Sequence, residues 1–300
     1  MNEPGGGVEE QSLAFGGQAL IEGVMMRSRS HLVMCVRRPD GEIATISQGI
    51  SSRTRRSRAL GLPVVRGVVA MLEAMYWGMK GIFRSADVAL EEEQEEFGFT
   101  DYLLVLALVV VISSVFMVVP FVLTNYLHLE GLAFSLVEAL VRLGMFTGYL
   151  YAISRWGEMR RVLQYHGAEH KAINAYEGGA GLTVDEVAGY PRIHPRCGTS
   201  FLFIVVLTSV AVFSLIPSHS LALRMAYRVL LIPLLAGLSF EVLRLSDRYR
   251  DSPIIRLMTV PGLWFQRLTT KEPEPDMVEV AIRALEEVRR LDEAGAESPG

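Results

Sequence analysis

"LLVLALVVVISSVFMVVPFVL", Leu103–Leu123, is the stretch on which the reading of the fold turns. It carries no charge, and a helix needs roughly 20 apolar residues to cross the hydrocarbon core of a bilayer. A helix that is apolar all round has no face to offer water, so this one reads as a membrane span. Pro120 near its end predicts a kink.

Three further stretches extend that reading. Leu132–Ile153 carries Glu138 and Arg142, four apart on one helical face and able to pair. Phe201–Ile216 is shorter but runs on from Gly198-Thr199-Ser200, and Met225–Leu245 holds Arg228 near one end and Glu241 near the other. Together they predict a mainly α protein, a polytopic membrane helical bundle of four spans. Composition agrees: 50% hydrophobic and 21% charged residues are too apolar for an ordinary soluble domain and too charged for a bundle of spans alone.

Around the bundle the character changes. Residues 1–16 are acidic and Gly-rich, with no basic stretch leading into an apolar core, and read as a disordered N-terminus without a cleavable signal. Residues 17–60 contain alternating "LVMCVRRPDGEIATI" with Pro39-Asp40-Gly41 at its centre, a hairpin signal in a small β-containing region. Residues 61–100 combine an interfacial helix, bearing Arg66, Glu73 and Lys80 among apolar residues, with the acidic linker Glu91–Glu96. The bundle occupies 101–250 and includes the polar loop 154–198. Residues 251–300 supply an interfacial segment, anchored by Trp264 and Phe265, and an amphipathic tail helix with Val278, Ile282, Leu285 and Val288 on one face.

Lys and Arg concentrate before the first span, between the second and third, and after the fourth, whereas 125–131 and 217–223 hold none. The positive-inside rule then makes both termini and the 154–198 loop cytoplasmic, in an inner (plasma) membrane protein whose first partner is the lipid bilayer. A net charge of −4 gives no reason to expect nucleic acid. The basic cluster Arg53, Arg55, Arg56 and Arg58 is local and reads as a solvated loop or a contact with anionic headgroups. Two cysteines, Cys35 and Cys197, make no disulfide framework and fit a reducing compartment.

The polar loop carries the chemistry. In "LQYHGAEHKAINAYEGG", Leu163–Gly179, His166 and His170 stand four apart, so on a helix both imidazoles can reach one ion. Glu169 lies beside them, in the H-x-x-E-H order in which two histidines hold zinc and the glutamate is the base. In the same loop "HPRC" adds His194 and Cys197, further ligand types suited to zinc. The competing reading makes the histidines interfacial polar residues and Cys197 a small packed side chain.

Four separated motifs, "GGQALIEGVMMRS" (16–28), "YHGAEHK" (165–171), "HPRCGTSF" (194–201) and "PGLWFQRLTTKEP" (261–273), resemble the YqhQ-like family of bacterial membrane proteins. That resemblance spans nearly the whole chain and implies a metal-dependent enzyme without implying a substrate. The third ligand stays open: a distant carboxylate, for which Glu241 is the candidate against an ion pair with Arg244 or Arg228, or His194 and Cys197. With one further ligand the site suits a membrane-embedded hydrolase using Glu169. With both His194 and Cys197 it closes into structural zinc, in a non-catalytic factor that presents a surface to a protein partner.

Overall fold

The computed structural model describes residues 15–51, 57–90, 99–195, 197–216, 221–249 and 252–296. The N-terminus, most of the 53–58 basic cluster and the acidic run 91–96 therefore lie outside the described residues.

The hairpin signal belongs to a larger meander. β1 (Gly16–Leu20), β2 (Gly23–Arg27), β3 (His31–Arg37) and β4 (Ile43–Gly49) form one antiparallel sheet in chain order. Pro39-Asp40-Gly41 turns β3 into β4, where Arg38 N–H donates to Glu42 O at 2.9 Å. Val24↔Cys35 and Met26↔Val33 are paired, so these four side chains share one face, while Leu20, Met25, Leu32, Met34 and Val36 point to the other. Both faces are apolar because both are covered.

α1 (Val65–Leu90) covers the second face with Trp77, Val88 and Ala89. The first face is covered by α4 (Gly157–Glu177) and α10 (Pro275–Ala296), which bury Tyr165, Ala168, Ala172, Met277, Ala281, Leu285 and Val288 against it. The tail helix is thus a core element, and the amphipathic stripe on it faces the sheet and α4. Short α5 (Val184–Ala188), capped by Thr183 accepting from Glu186 N–H, closes one side of the same core through Val187.

The remaining helices form the apolar unit. α2 (Phe99–Asn125), which continues through Pro120, and α3 (Gly131–Ile153) contain the two stretches long and apolar enough to cross a membrane among the described residues. α6 (Gly198–Ser214) is apolar but shorter. The stretch expected as a fourth span divides into α7 (Leu221–Leu230) and α8 (Ile232–Arg248), bent by 50° at the break, and counts as a third crossing only if the pair is one broken span. Pro233 lies in the first turn of α8, where its missing N–H is tolerated, and it marks the restart of the helix. α9 (Pro253–Thr269) packs on α6 and α3, bringing Phe265 to Phe146.

Candidate metal centre

α4 carries the H-x-x-E-H sequence into the interior. Its Ala168, Ala172 and Ala175 lie flat against the sheet side, so the helix approaches closely and buries Glu169 and His170 almost completely. Gly167 allows the other close approach, since a Cβ there would overlap the Lys271 carbonyl oxygen. Lys271 N–H in turn donates to Leu163 O at 2.8 Å, fastening the segment after α9 to the helix.

That fastening orients the histidines. His166 Nδ1 lies 2.8 Å from Thr269 O and His170 Nδ1 lies 2.7 Å from Arg192 O. A carbonyl only accepts, so each Nδ1 carries a proton, and in the neutral ring Nε2 is then the nitrogen with the lone pair that a metal ligand requires. Cys197, the residue capping the start of α6, brings Sγ to 3.3 Å from His166 Nε2. The ligand atoms of His166, His170 and Cys197 all lie within 4.8 Å of one another. Donors bound to one zinc ion at about 2.0–2.3 Å sit roughly 3–4 Å apart, so this nitrogen–nitrogen–sulfur set fits such an ion after small side-chain adjustments.

Glu169 occupies the space beside both imidazoles, with Oε2 3.9 Å from His166 Nε2 and 3.9 Å from His170 Nε2. Burial pushes its carboxyl above the usual range, against the opposing pull of His166, His194 and the Gly17 N–H. Gly17 in β1 is there by steric necessity: a Cβ would lie 2.6 Å from Glu169 Cγ.

The other expected site residues are placed differently. His194 exchanges backbone hydrogen bonds with the Gln266 amide, 2.8 Å at its N–H and 2.7 Å at its carbonyl. Its ring lies 5.9 Å from that of His170, but its Nε2 is 3.4 Å from Glu177 Oε2. Glu241 is bound by Arg66, whose Nε donates at 2.6 Å and whose Nη2 donates to the second oxygen, and by Val64 N–H at 3.3 Å. It ties α8 to α1: its hydrogen-bonded partner is Arg66, while Arg244 acts on it only through its charge. Glu22, in the β1–β2 turn, receives Arg161 Nε at 2.6 Å and the hydroxyl of Tyr165, the residue before His166, at 3.3 Å. Arg161 holds the Glu22 carboxyl below its usual range.

Sequence reasoning missed Gly17, Arg192 and Gln266, and it read Thr269 as a cap or anion-binding group without its contact to His166. Three of these lie in or beside the motifs that carry the family resemblance, Gly17 in "GGQAL" and Gln266 and Thr269 in "FQRLTTK". Nothing local in those motifs points to α4.

The family described as "Protein of unknown function (DUF1385)" matches residues 62–291, a range that holds the whole His/His/Cys cluster. The uncharacterized protein YqhQ of Bacillus subtilis (strain 168) is 38% identical over 296 residues, covering 93% of each chain. No solved structure matches the chain.

Proposed function

The chain belongs to the DUF1385 family, and from that premise we propose that it is a membrane-embedded, metal-dependent hydrolase whose site opens at the cytoplasmic face. The observation that carries the proposal is the convergence of His166, His170 and Cys197 beside a buried carboxyl group that has no guanidinium or ammonium partner among the described residues. Three protein ligands are the number that leaves a coordination position for chemistry, and the donor set favours zinc.

His166, His170 and Cys197 would hold the ion, which when bound supplies Lewis acidity and lowers the pKa of water. Glu169 has the position of the proton carrier. Its Oε2 would take a proton from the attacking water and return it to the leaving group, work suited to a carboxyl whose pKa burial has raised. The Gly17 N–H holds that carboxyl in place, and the Thr269 and Arg192 carbonyls keep both imidazoles in the ligating tautomer.

Chain connectivity supports four crossings with both termini on one side. The sheet precedes α2, α4 follows α3, and α10 follows α8, yet all three pack into a single core. An even number of crossings must then separate each from the next: α2 with α3, and α6 with the bent α7–α8 pair. The Lys/Arg distribution selects the cytoplasmic side.

One observation favours a second reading, a structural zinc site in a non-catalytic factor. Cys197 caps α6 of the apolar unit while both histidines ride on α4, so an ion here would also clamp the two units together. Elemental analysis of the purified protein beside complementation of a deletion strain tests both readings. The hydrolase expects bound metal that is lost in His166→Ala, and a Glu169→Gln variant that keeps metal but loses function. Full function of Glu169→Gln, with unfolding of Cys197→Ser, would establish the clamp instead.

A further inference from the structure

The two segments that orient the imidazoles also carry positive charge. Arg192 supplies the carbonyl that holds His170, and Lys271 lies two residues beyond Thr269, whose carbonyl holds His166. Arg160 is in the first turn of α4 and Arg155 in the turn that joins α3 to it. Lys271 N–H on Leu163 O and Arg192 O on His170 Nδ1 seat both of those residues against α4, the helix whose first turn holds Arg160. Burial pushes the Lys271 ammonium below its usual range, and the charges of Arg192, Arg160 and Arg155 push it the same way. Glu272, the neighbouring carboxylate, is already engaged by Lys171 Nζ at 2.6 Å. Glu158 shares the first turn of α4 with Arg160, so the cations here are in excess rather than alone, and such an excess opposes folding and raises the local concentration of anions.

Two of the cations, Arg155 and Arg160, stand where an apolar helix ends. Arg155 and Trp156 follow α3 directly, and the Arg155 guanidinium lies over the Tyr151 ring, 4.7 Å from its centroid. Trp156 is 61% exposed, and Trp264 on α9 is 53% exposed. Exposed Trp and Tyr among basic residues at the end of an apolar helix are the pattern of a membrane–water boundary. Arginine matches phosphate oxygens with paired N–H donors, which makes a phosphate monoester a better fit than a diffuse anion.

We infer that Arg155, Arg160, Arg192 and Lys271 form a site for the phosphate-bearing headgroup of an anionic membrane lipid, received from the bilayer surface beside the His166/His170/Cys197 cluster. Calling that lipid a substrate rests on the hydrolase reading, whereas its binding does not. A soluble phosphate would offer the same oxygens, but it would leave the exposed tryptophans without acyl chains to cover them.

The test uses the full-length protein in a neutral detergent, with tryptophan fluorescence as readout. The probes are dihexanoyl phosphatidic acid, dihexanoyl phosphatidylcholine and inorganic phosphate. Phosphatidic acid should bind saturably and at least about tenfold more tightly than either other probe, the difference expected for one or two charge-assisted hydrogen bonds. Arg155→Gln/Arg160→Gln, two exposed substitutions, should weaken it by about tenfold or more, and Lys271→Gln should do the same. Cys197→Ala should lower metal content and leave lipid affinity unchanged, so the two proposals can fail separately. Equal affinity for phosphatidylcholine, inorganic phosphate binding as tightly as the lipid, or unaltered binding by the double variant would each overturn the inference.

Discussion

The apolar helical unit and the α/β unit each bury one glutamate almost completely, and they accommodate it in opposite ways. Glu138 on α3 receives Arg142 Nη2 at 2.6 Å and Arg228 Nε at 3.0 Å, with Arg228 Nη2 on its second oxygen. The Arg228 guanidinium also lies over the rings of Phe121 and Phe213, 4.6 and 4.8 Å from their centroids. Glu169 has no such counter-ions: its ion-pair partners among the described residues are two imidazoles, each already committed through Nδ1 to a carbonyl. Burial of a carboxylate is therefore not itself a sign of function. A glutamate held between two guanidiniums is a structural tie, whereas one buried beside two imidazoles without such a tie is the kind of group that functional sites use.

The largest expected effect comes from breaking the tie. Glu138→Ala leaves Arg142 and Arg228 without their buried counter-charge and should destabilise the protein by about 3–5 kcal/mol, read as loss of the monodisperse species on heating in detergent. Next in size is a cavity in the other unit. Leu285→Ala removes a fully buried side chain from the core shared by α10, α4 and the sheet, and should cost about 2–5 kcal/mol in the same melt. A tail helix that were only an appendage would tolerate the change.

Gly17→Ala probes how tightly Glu169 is held. The added methyl meets Glu169 Cγ and should cost about 1–3 kcal/mol by overpacking, with function lost more completely than stability. Glu169→Gln should change stability by no more than about 1 kcal/mol, because an uncharged amide can still accept from Gly17 N–H. Set against Glu138→Ala in one melting series, these two variants measure the contrast directly. Equal destabilisation by Glu138→Ala and Glu169→Gln would erase it.

A third buried carboxylate sharpens the comparison through pH. Asp292 on α10 accepts Ser28 Oγ and Ser30 Oγ at 2.7 Å and His31 Nδ1 at 2.8 Å. Burial alone raises its pKa, but the hydrogen bonds from Ser30, His31 and Ser28 outweigh that and hold it below the ordinary 3.8. A depressed folded value means the unfolded chain takes up the proton first as acid is added. The contribution is present above pH 3.8 and is lost as the pH falls through the folded value. An acid-unfolding series should therefore show Asp292→Asn less stable than the parent at neutral pH, with the two converging at the acid end.

Much of this was legible because it depends on neighbours in the chain. Leu103–Leu123 declares an apolar helix because transfer free energies add along a continuous run. The Glu138–Arg142 pair follows from one helical turn, and its geometry is as the spacing required. Pro39-Asp40-Gly41 marks a hairpin through its own backbone preferences. Less legible was the meander around that hairpin. β2 is buried from Gly23 to Met26 and presents apolar residues to both faces, which removes the alternation that identifies a half-buried strand.

Which further group stands beside the two histidines was not legible at all. Glu241, His194 and Cys197 are comparable candidates by chemistry, and only the packing of α4 against the start of α6 brings Sγ of Cys197 to His166 while Arg66 takes Glu241. Gly17 reads as an ordinary strand glycine until α4 lies across it and fills the place of its Cβ with a carboxyl group. By itself the sequence determined the apolar helices and the shared face of His166 and His170, because both follow from interactions within about one helical turn or from composition along one segment. The tertiary structure alone decided which distant groups meet that face. Those meetings depend on how the sheet, α4 and α10 close around one core, a balance of burial spread over residues some 270 positions apart, from Phe15 to Val288.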